Sequence, residues 1–403
     1  MNNCRPITSC LACGSDDLTL TLDLNTQPLA NSFQKTPGIS IDDPWFPLAV
    51  NRCRHCNHLQ LTHAVDPALI YTHYLYVSGT SSTYKEYMEW FAHFVCEQFT
   101  NTPRAVLDIG CNDGSQLDAF AKLGVKTYGV DPATNLHATS TSKGHKVLCD
   151  FWPTDQGFDT QFDIIIAQNS FAHNPNPVDW LLSAIQRLNP NGKIFIQTSQ
   201  ADMVLNGEFD TIYHEHISFY NIESMRRLAE RTGLYLQDVV KTPIHGTSYV
   251  FVLGKRDTNP YRVSNLLALE SKLQQESTYV TWTKGVQQLL VDLKGEIIRH
   301  RAHGYTIVGY GAAAKGMTLL HASNITLDCV IDDNPMKQGL YCPGTDIPVV
   351  DIGWLDTLTT IDAKVLFVPL AWNFFTEISR KIKTARNNPN DRFIRYFPKI
   401  VVE

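Results

Sequence analysis

Two CxxC pairs set the tightest limit on what this chain can fold into. Cys10-Leu-Ala-Cys13 and Cys53-Arg-His-Cys56 are separated by 39 residues, and each can turn two sulfurs toward one point. Four thiolates fill a tetrahedral shell around zinc and leave no position for water, so the expected ion is structural. Between the pairs, QPLANSF and a loop through Pro37, Pro44 and Pro47 suit a small module with little regular structure. Arg52, Arg54 and His55 flank the second pair, where positive charge favours the thiolate form. Ten cysteines in 403 residues are too dilute for a disulfide scaffold. The opening MNNCRPITSC lacks the basic and apolar segments of an export signal, so the expected compartment is the reducing cytoplasm.

A net charge of −6 gives no basic footprint for a nucleic acid. No run approaches the ~18 apolar residues that would span a membrane. Neither partner is expected, and the oligomeric state is left open, with a monomer compatible. The length predicts three domains, which we place at 1–72, 73–255 and 256–403.

Within the second segment, Tyr84, Tyr87, Met88, Phe91, Phe94 and Val95 recur at helical spacing, after a polar loop carrying Tyr74, Tyr76 and Ser78. Ala105–Ile109 then reads as a buried strand running into Gly110-Cys-Asn-Asp-Gly114 and an amphipathic helix. A second strand ends in Asp131, 17 residues beyond Gly114, where a carboxylate can grip ribose hydroxyls. The rhythm continues through KVLCDFW, Phe162–Ala167 and Gly192–Gln197, predicting a largely parallel sheet wrapped by helices. DIGCNDG resembles the first motif of class I methyltransferases, which cradles the amino-acid end of S-adenosylmethionine. That resemblance implies cofactor contacts from Asp108, Gly110, Asn112, Asp113 and Gly114, and ribose binding by Asp131. It also implies Asp150, Phe151 and Trp152 around adenine, and Gln168 and Asn169 along the cofactor.

Tyr213-His-Glu-His216 places a phenol, two imidazoles and a carboxylate in four consecutive positions. If the run is extended, Tyr213 shares a face with Glu215 and His214 with His216; a polar loop beside the cofactor is the alternative. Histidine titrates near neutrality, so it can remove a proton from carbon beside a ketone, leaving an enolate for methylation. Tyrosine phenols and a second histidine could bind the enolate oxygen.

In the third segment, a long helical pattern from about Asn259 to His303 connects to Tyr305-Thr-Ile-Val-Gly-Tyr-Gly-Ala-Ala-Ala-Lys-Gly316. Gly309, Gly311 and Ala314 form a GxGxxA turn, with Asp332 following Gly311 by 21 residues. That spacing admits a nicotinamide-dependent oxidoreductase as the competing reading. A diphosphate on a sugar nucleotide would suit the same helix N-terminus beside Lys315. Asp332, Asn334, Lys337, Trp372 and Asn373 fall where loops after strands converge on the sheet edge.

Taken in order, CxxC…CxxC, DIGCNDG, YHEH, GYGAAAKG and PLAWNF resemble the S-adenosylmethionine-dependent sugar C-methyltransferases, which act on nucleotide-linked keto-deoxysugars. The resemblance covers almost the whole chain. It implies an α/β protein with a small N-terminal zinc module, a central class I methyltransferase (Rossmann-like) domain and a C-terminal Rossmann-like domain. It further implies His216 as general base, with Tyr213, Glu215, His173 and Tyr76 orienting the sugar and stabilising the enolate. Tyr76, Ser78, Gly311, Lys315, Asp332, Asn334, Lys337, Trp372 and Asn373 would then hold the nucleotide sugar. Cys111 stands where the family often has a smaller residue, a change of little weight because only the backbone is needed there.

Overall fold

A computed structural model describes residues 3–38, 44–72, 74, 77–80, 82–198, 202–244, 246–358 and 363–403. The chain forms two compact units, residues 1–20, 51–201 and 215–274 in the first, and 21–50, 202–214 and 275–403 in the second. Among the described residues no helix is long and apolar enough to cross a membrane.

The first unit is built on a seven-stranded sheet. Its order is Tyr235–Thr242, Ser248–Gly254, Leu188–Thr198, Phe162–Gln168, Ala105–Ile109, Lys126–Val130 and Lys146–Leu148. Ser248–Gly254 runs antiparallel to both its neighbours; the remaining pairs are parallel. Strands covered on both faces read as near-continuous apolar runs, and AVLDI and FDIIIAQ do so apart from Asp108, Asp163 and Gln168. One face packs on Phe171, Trp180, Leu181, Met225 and Leu228, the other on Tyr84, Met88, Phe91, Val95 and Phe120. The helix Ser82–Cys96 therefore carries the predicted stripe into the core. Cys10, Ala12, Cys53 and Cys56 are buried in the same cluster as the first face, so the cysteine module is part of this unit's core.

The second unit is a six-stranded sheet in the order Val349–Val350, Cys329–Ile331, Tyr305–Tyr310, Lys364–Pro369, Arg392–Arg395 and Val401–Val402, parallel except at its last pair. Its other segments are tied to helices of the same unit. Trp282 Nε1 donates to the Glu208 carbonyl at 2.8 Å, Thr283 to the Thr21 carbonyl at 2.9 Å and Thr318 to the Ile212 carbonyl at 3.1 Å.

The single helix expected over 259–303 is broken into Pro260–Leu269, a short 3-10 turn Ser271–Gln274 and Glu276–Ala302. Glu270 explains the interruption. It is buried, and its carboxylate accepts from the Ile222 amide at 2.8 Å, at the start of helix Ile222–Arg231, and from the Tyr249 hydroxyl at 3.0 Å. A buried carboxylate fixed at a helix N-terminus pins the chain where periodicity alone would carry it onward.

His214 belongs to the core of the second unit. Its Nε2 lies 3.2 Å from the Phe46 carbonyl and its ring is edge-on to Phe46 at 5.9 Å. Burial pulls its pKa from 6.5 down to about 4. The folded chain thus refuses a proton that the unfolded chain accepts, so this contribution is intact above pH 6.5 and declines as pH falls toward 4. We expect the acid loss of stability over that window to be shallower in His214→Gln, by about 3 kcal/mol at the lower end. Thermal melts across the pH series measure it; parallel curves for the two proteins would reject the assignment.

Candidate active site and metal centre

Each cysteine pair folds as the same local turn. The Gly14 amide donates back to the Cys10 carbonyl at 2.8 Å and the Asn57 amide to the Cys53 carbonyl at 2.9 Å. Gly14 and Asn57 both take positive φ, which a residue directly after the turn needs and which glycine and asparagine tolerate. Gln60 ties the first knuckle down, accepting from the Leu11 amide at 2.8 Å and donating to the Ser9 carbonyl at 3.0 Å. The four sulfurs lie within 4.8 Å of one another, with Cys10–Cys56 at 3.6 Å and Cys13–Cys53 at 3.5 Å. A tetrahedron with Zn–S bonds of about 2.3 Å has edges of about 3.8 Å, so the set fits a structural zinc.

At the carboxyl edge of the first unit's sheet, Ala105–Ile109 ends in the glycine turn. Gly110 takes φ +88°, and a Cβ there would stand 2.5 Å from Cβ of Ser170, so only glycine fits. The Gly110 amide reaches the Val130 carbonyl at 2.8 Å. Asp131 closes the turn, its Oδ2 accepting from the Asn112 amide at 2.8 Å and its Oδ1 from the Ala133 amide at 2.9 Å. Each carboxylate oxygen keeps a second lone pair for a hydroxyl donor. Burial raises the pKa of Asp131, and burial together with the Asp131 charge raises that of Asp108 well above the usual carboxylate range. Two buried acids at one turn suit a ligand that brings positive charge and hydroxyls, as a sulfonium-bearing nucleoside does.

Asn112 accepts from the Ser78 amide at 2.9 Å, and Asp113 from the Gly79 amide at 3.2 Å. Gly114 takes φ +77° and caps helix Ser115–Lys122. Asp150 accepts from Thr154 and from its neighbour Phe151, whose ring is exposed. Trp152 points elsewhere: its Nε1 donates to the Trp180 carbonyl at 3.1 Å and its ring packs edge-on against Trp180, in the core. Gln168 donates to Gln116 at 2.7 Å, and Asn169, at φ +54°, pairs its amide with that of Gln197 at 3.3 and 3.4 Å.

The Tyr213–His216 run is neither extended nor confined to one unit. It folds as turns, and the boundary between the compact units falls between His214 and Glu215. The predicted sharing of a face by His214 and His216 is therefore not realised, since His214 is packed against Phe46. In the first unit, the Ile217 amide donates to the Ala172 carbonyl at 2.9 Å, which brings His216 beside His173. The two imidazoles stack at 5.2 Å, and His173 stacks on Tyr71 at 5.4 Å with the planes 9° apart. Burial, with the neighbouring His216, holds the His173 pKa well below its ordinary value. The Nε2 of His173 is shut off from solvent and has no hydrogen-bond partner among the described residues. Glu215, also buried, accepts the Tyr74 hydroxyl on Oε2 at 2.7 Å, and its carbonyl accepts the Tyr71 hydroxyl at 3.1 Å. Tyr76 lies outside the described residues. Tyr71 is the ring that sequence reasoning missed; a tyrosine on a short helical turn carries no local mark of the stack it will join.

In the second unit the GxGxxA turn repeats the geometry. Gly311 takes φ +88° and its amide reaches the Ile331 carbonyl at 2.7 Å, while Asp332 accepts from the amides of Ala312 at 2.6 Å and Asn334 at 2.8 Å. Lys337 donates to the Ala312 carbonyl at 2.7 Å. Lys315 stands 4.9 Å over the Trp372 ring, whose Nε1 donates to buried Asp210 at 2.8 Å. Asn373 follows Trp372 in the one-turn helix after strand Lys364–Pro369.

Three family models match in series. One described as "Putative zinc binding domain" covers residues 10–71, a methyltransferase domain covers 83–239, and a C-methyltransferase C-terminal domain covers 243–398. C-methyltransferase NovU of Streptomyces niveus is 28% identical over 410 residues, spanning 98% of this chain and 96% of the relative. The chain belongs to the S-adenosylmethionine-dependent C-methyltransferases. A ubiquinone biosynthesis O-methyltransferase of Coxiella burnetii (strain RSA 493 / Nine Mile phase I) is 25% identical over 179 residues, 40% of this chain and 76% of the relative. Among solved structures, the plantazolicin methyltransferase BpumL has a TM-score of 0.36 at 14% identity over 44% of this chain and 87% of that one. The PH0226 protein of Pyrococcus horikoshii OT3 has a TM-score of 0.36 at 16% identity over 45% of this chain and 95% of that one. For the C-methyltransferase, the model matched by the segment with the second glycine turn is a C-methyltransferase domain, and nothing found supports the oxidoreductase reading.

Two outcomes follow for this C-methyltransferase. Purified protein should carry one zinc per chain in an all-sulfur shell at about 2.3 Å by X-ray absorption, and Cys53→Ser should lose both metal and thermal stability; full stability without metal would remove its structural role. Asp131→Ala should weaken S-adenosylhomocysteine binding about tenfold or more, since hydrogen bonds to a charged group contribute about 1.5–3 kcal/mol. Calorimetric titration decides it, and unchanged affinity would discard the ribose assignment.

Proposed function

We propose that this enzyme methylates carbon in a nucleotide-linked keto-deoxysugar, with His216 removing the proton from the carbon beside the ketone. The observation that carries this reading is the stack of Tyr71, His173 and His216 beside the Glu215–Tyr74 pair, in the same unit as the glycine turn. Solvent-shielded imidazoles next to a carboxylate and phenols make an acid–base site, and two stacked imidazoles disfavour a second positive charge. The full-length relative named as a C-methyltransferase supports carbon as the acceptor.

S-adenosylmethionine, when bound, supplies an electrophilic methyl on a sulfonium. His216 takes the α-proton, and the electron pair left on carbon delocalises onto the ketone oxygen. His173, kept neutral by its surroundings, donates a hydrogen bond to that oxygen through an N–H, as Tyr213 and Tyr76 would through their hydroxyls. Glu215 orients the sugar with the Tyr74 phenol it accepts from. Asp108, Asp131 and the turn from Gly110 to Gly114 hold the methyl donor, with Asp150, Phe151, Gln168 and Asn169 along it. Ser78, Gly311, Lys315, Asp332, Asn334, Lys337, Trp372 and Asn373 bind the sugar nucleotide in this scheme. The zinc module, methyl-donor domain and sugar-nucleotide domain then correspond to residues 1–72, 73–255 and 256–403, working in the reducing cytoplasm.

A screen of nucleotide-linked keto-sugars for a mass gain of one methyl group should identify the substrate. With it, His216→Ala should retain S-adenosylhomocysteine binding but lose both methyl transfer and solvent deuterium exchange at the α-carbon by about 10²–10⁴-fold. Undiminished exchange would exclude His216 as the base.

A further inference from the structure

Tyr74 is fixed twice, once through its hydroxyl and once through its backbone. The side chain of Asn135 accepts from the Tyr74 amide on Oδ1 at 3.1 Å and donates from Nδ2 to the Tyr74 carbonyl at 2.9 Å. A primary amide bonded to both polar groups of one residue does the work of a strand partner, so the amide and carbonyl of Tyr74 are both held. The preceding residue adds two bonds, from the Thr134 amide and hydroxyl to the Thr72 carbonyl at 3.2 and 3.0 Å. Both residues open the helix Thr134–Ser142, where asparagine is better tolerated than in a helix interior.

The position of this helix is not independent of the cofactor turn. Asp131, three residues before Thr134, is bonded through its two carboxylate oxygens to the amides of Asn112 and Ala133. One five-residue segment, Asp131 to Asn135, therefore grips the glycine turn at one end and the backbone of Tyr74 at the other. Tyr74 in turn places its hydroxyl 2.7 Å from Oε2 of Glu215, next in sequence to His216.

We propose that Asn135 is a positioning residue for proton transfer, acting through Tyr74 to orient the Glu215 carboxylate beside His216. Asn135 acts at one remove, on the backbone that aims the phenol. This role rests on the acid–base reading of the cluster given above.

The test uses full-length, zinc-loaded protein and the keto-sugar nucleotide identified by the methyl-gain screen. Asn135→Ala is expected to lower kcat about tenfold, within the loss of up to about a hundredfold that a 1 Å misplacement causes. Affinity for S-adenosylhomocysteine should stay within about twofold, because Asp131 keeps both its amide bonds. In a Tyr74→Phe background the same substitution should cost almost nothing further, since the hydroxyl it aims is gone. Asn135→Asp keeps the acceptor for the Tyr74 amide but sets a carboxylate oxygen against the Tyr74 carbonyl, so it should lose at least as much kcat as Asn135→Ala; it also serves should the alanine variant fold poorly. Full kcat in Asn135→Ala, or an equal loss with and without the Tyr74 hydroxyl, overturns the proposal. If Tyr74→Phe and Glu215→Gln themselves leave turnover intact, the acid–base reading of the cluster fails instead.

Discussion

The interaction on which the first unit's glycine turn depends is the clasp between the Asp131 carboxylate and the backbone amides of Asn112 and Ala133. It joins the ends of two adjacent parallel strands at the edge where helices begin and amide hydrogens point outward. Without it, a turn containing Gly110, Asn112 and Gly114, all at positive φ, has few constraints of its own. With it, the turn is held in one shape, and a carboxylate is buried where a cationic, hydroxylated ligand can offset the burial. The same device recurs in the second unit, where Asp332 takes the amides of Ala312 and Asn334.

The cluster of Tyr71, His173, Glu215 and His216 is assembled differently. Its residues sit at element ends and in turns. Tyr71 ends a short helix, His173 ends a single 3-10 turn and Glu215–His216 sit in turns; one amide bond from Ile217 to Ala172 sets the two imidazoles face to face. Groups held on loops by a few specific bonds can be aimed more freely than groups on a strand, at the expense of needing supports such as Asn135 and Tyr74. The metal centre serves the same unit by another route: four sulfurs join two segments 39 residues apart and bury their knuckles in the core that carries Trp180 and Met225.

Much of this architecture is legible in the order of residues alone. The cysteine knuckles, both glycine turns and the strands feeding them are local patterns in which a few neighbouring residues dictate backbone geometry. Sequence reasoning failed where distant residues decide. The helix expected over 259–303 is interrupted because Glu270 finds the Ile222 amide and the Tyr249 hydroxyl. Trp152, whose ring could equally serve the core, is tied to it by the Trp180 carbonyl and ring. His214, beside His216 in sequence, is claimed by the core around Phe46.

By itself the sequence determined the α/β class, the zinc ligands, the two turns and the identity of the acids that close them, because each follows from residue type at short spacing. Only tertiary structure decided which of the two histidines in the Tyr213–His216 run meets His173, that Tyr71 completes the stack, and that Asn135 holds Tyr74. Those outcomes rest on hydrogen bonds and ring contacts between residues tens to more than a hundred positions apart, whose partners are chosen by the packing of the whole unit rather than by any pattern along the chain.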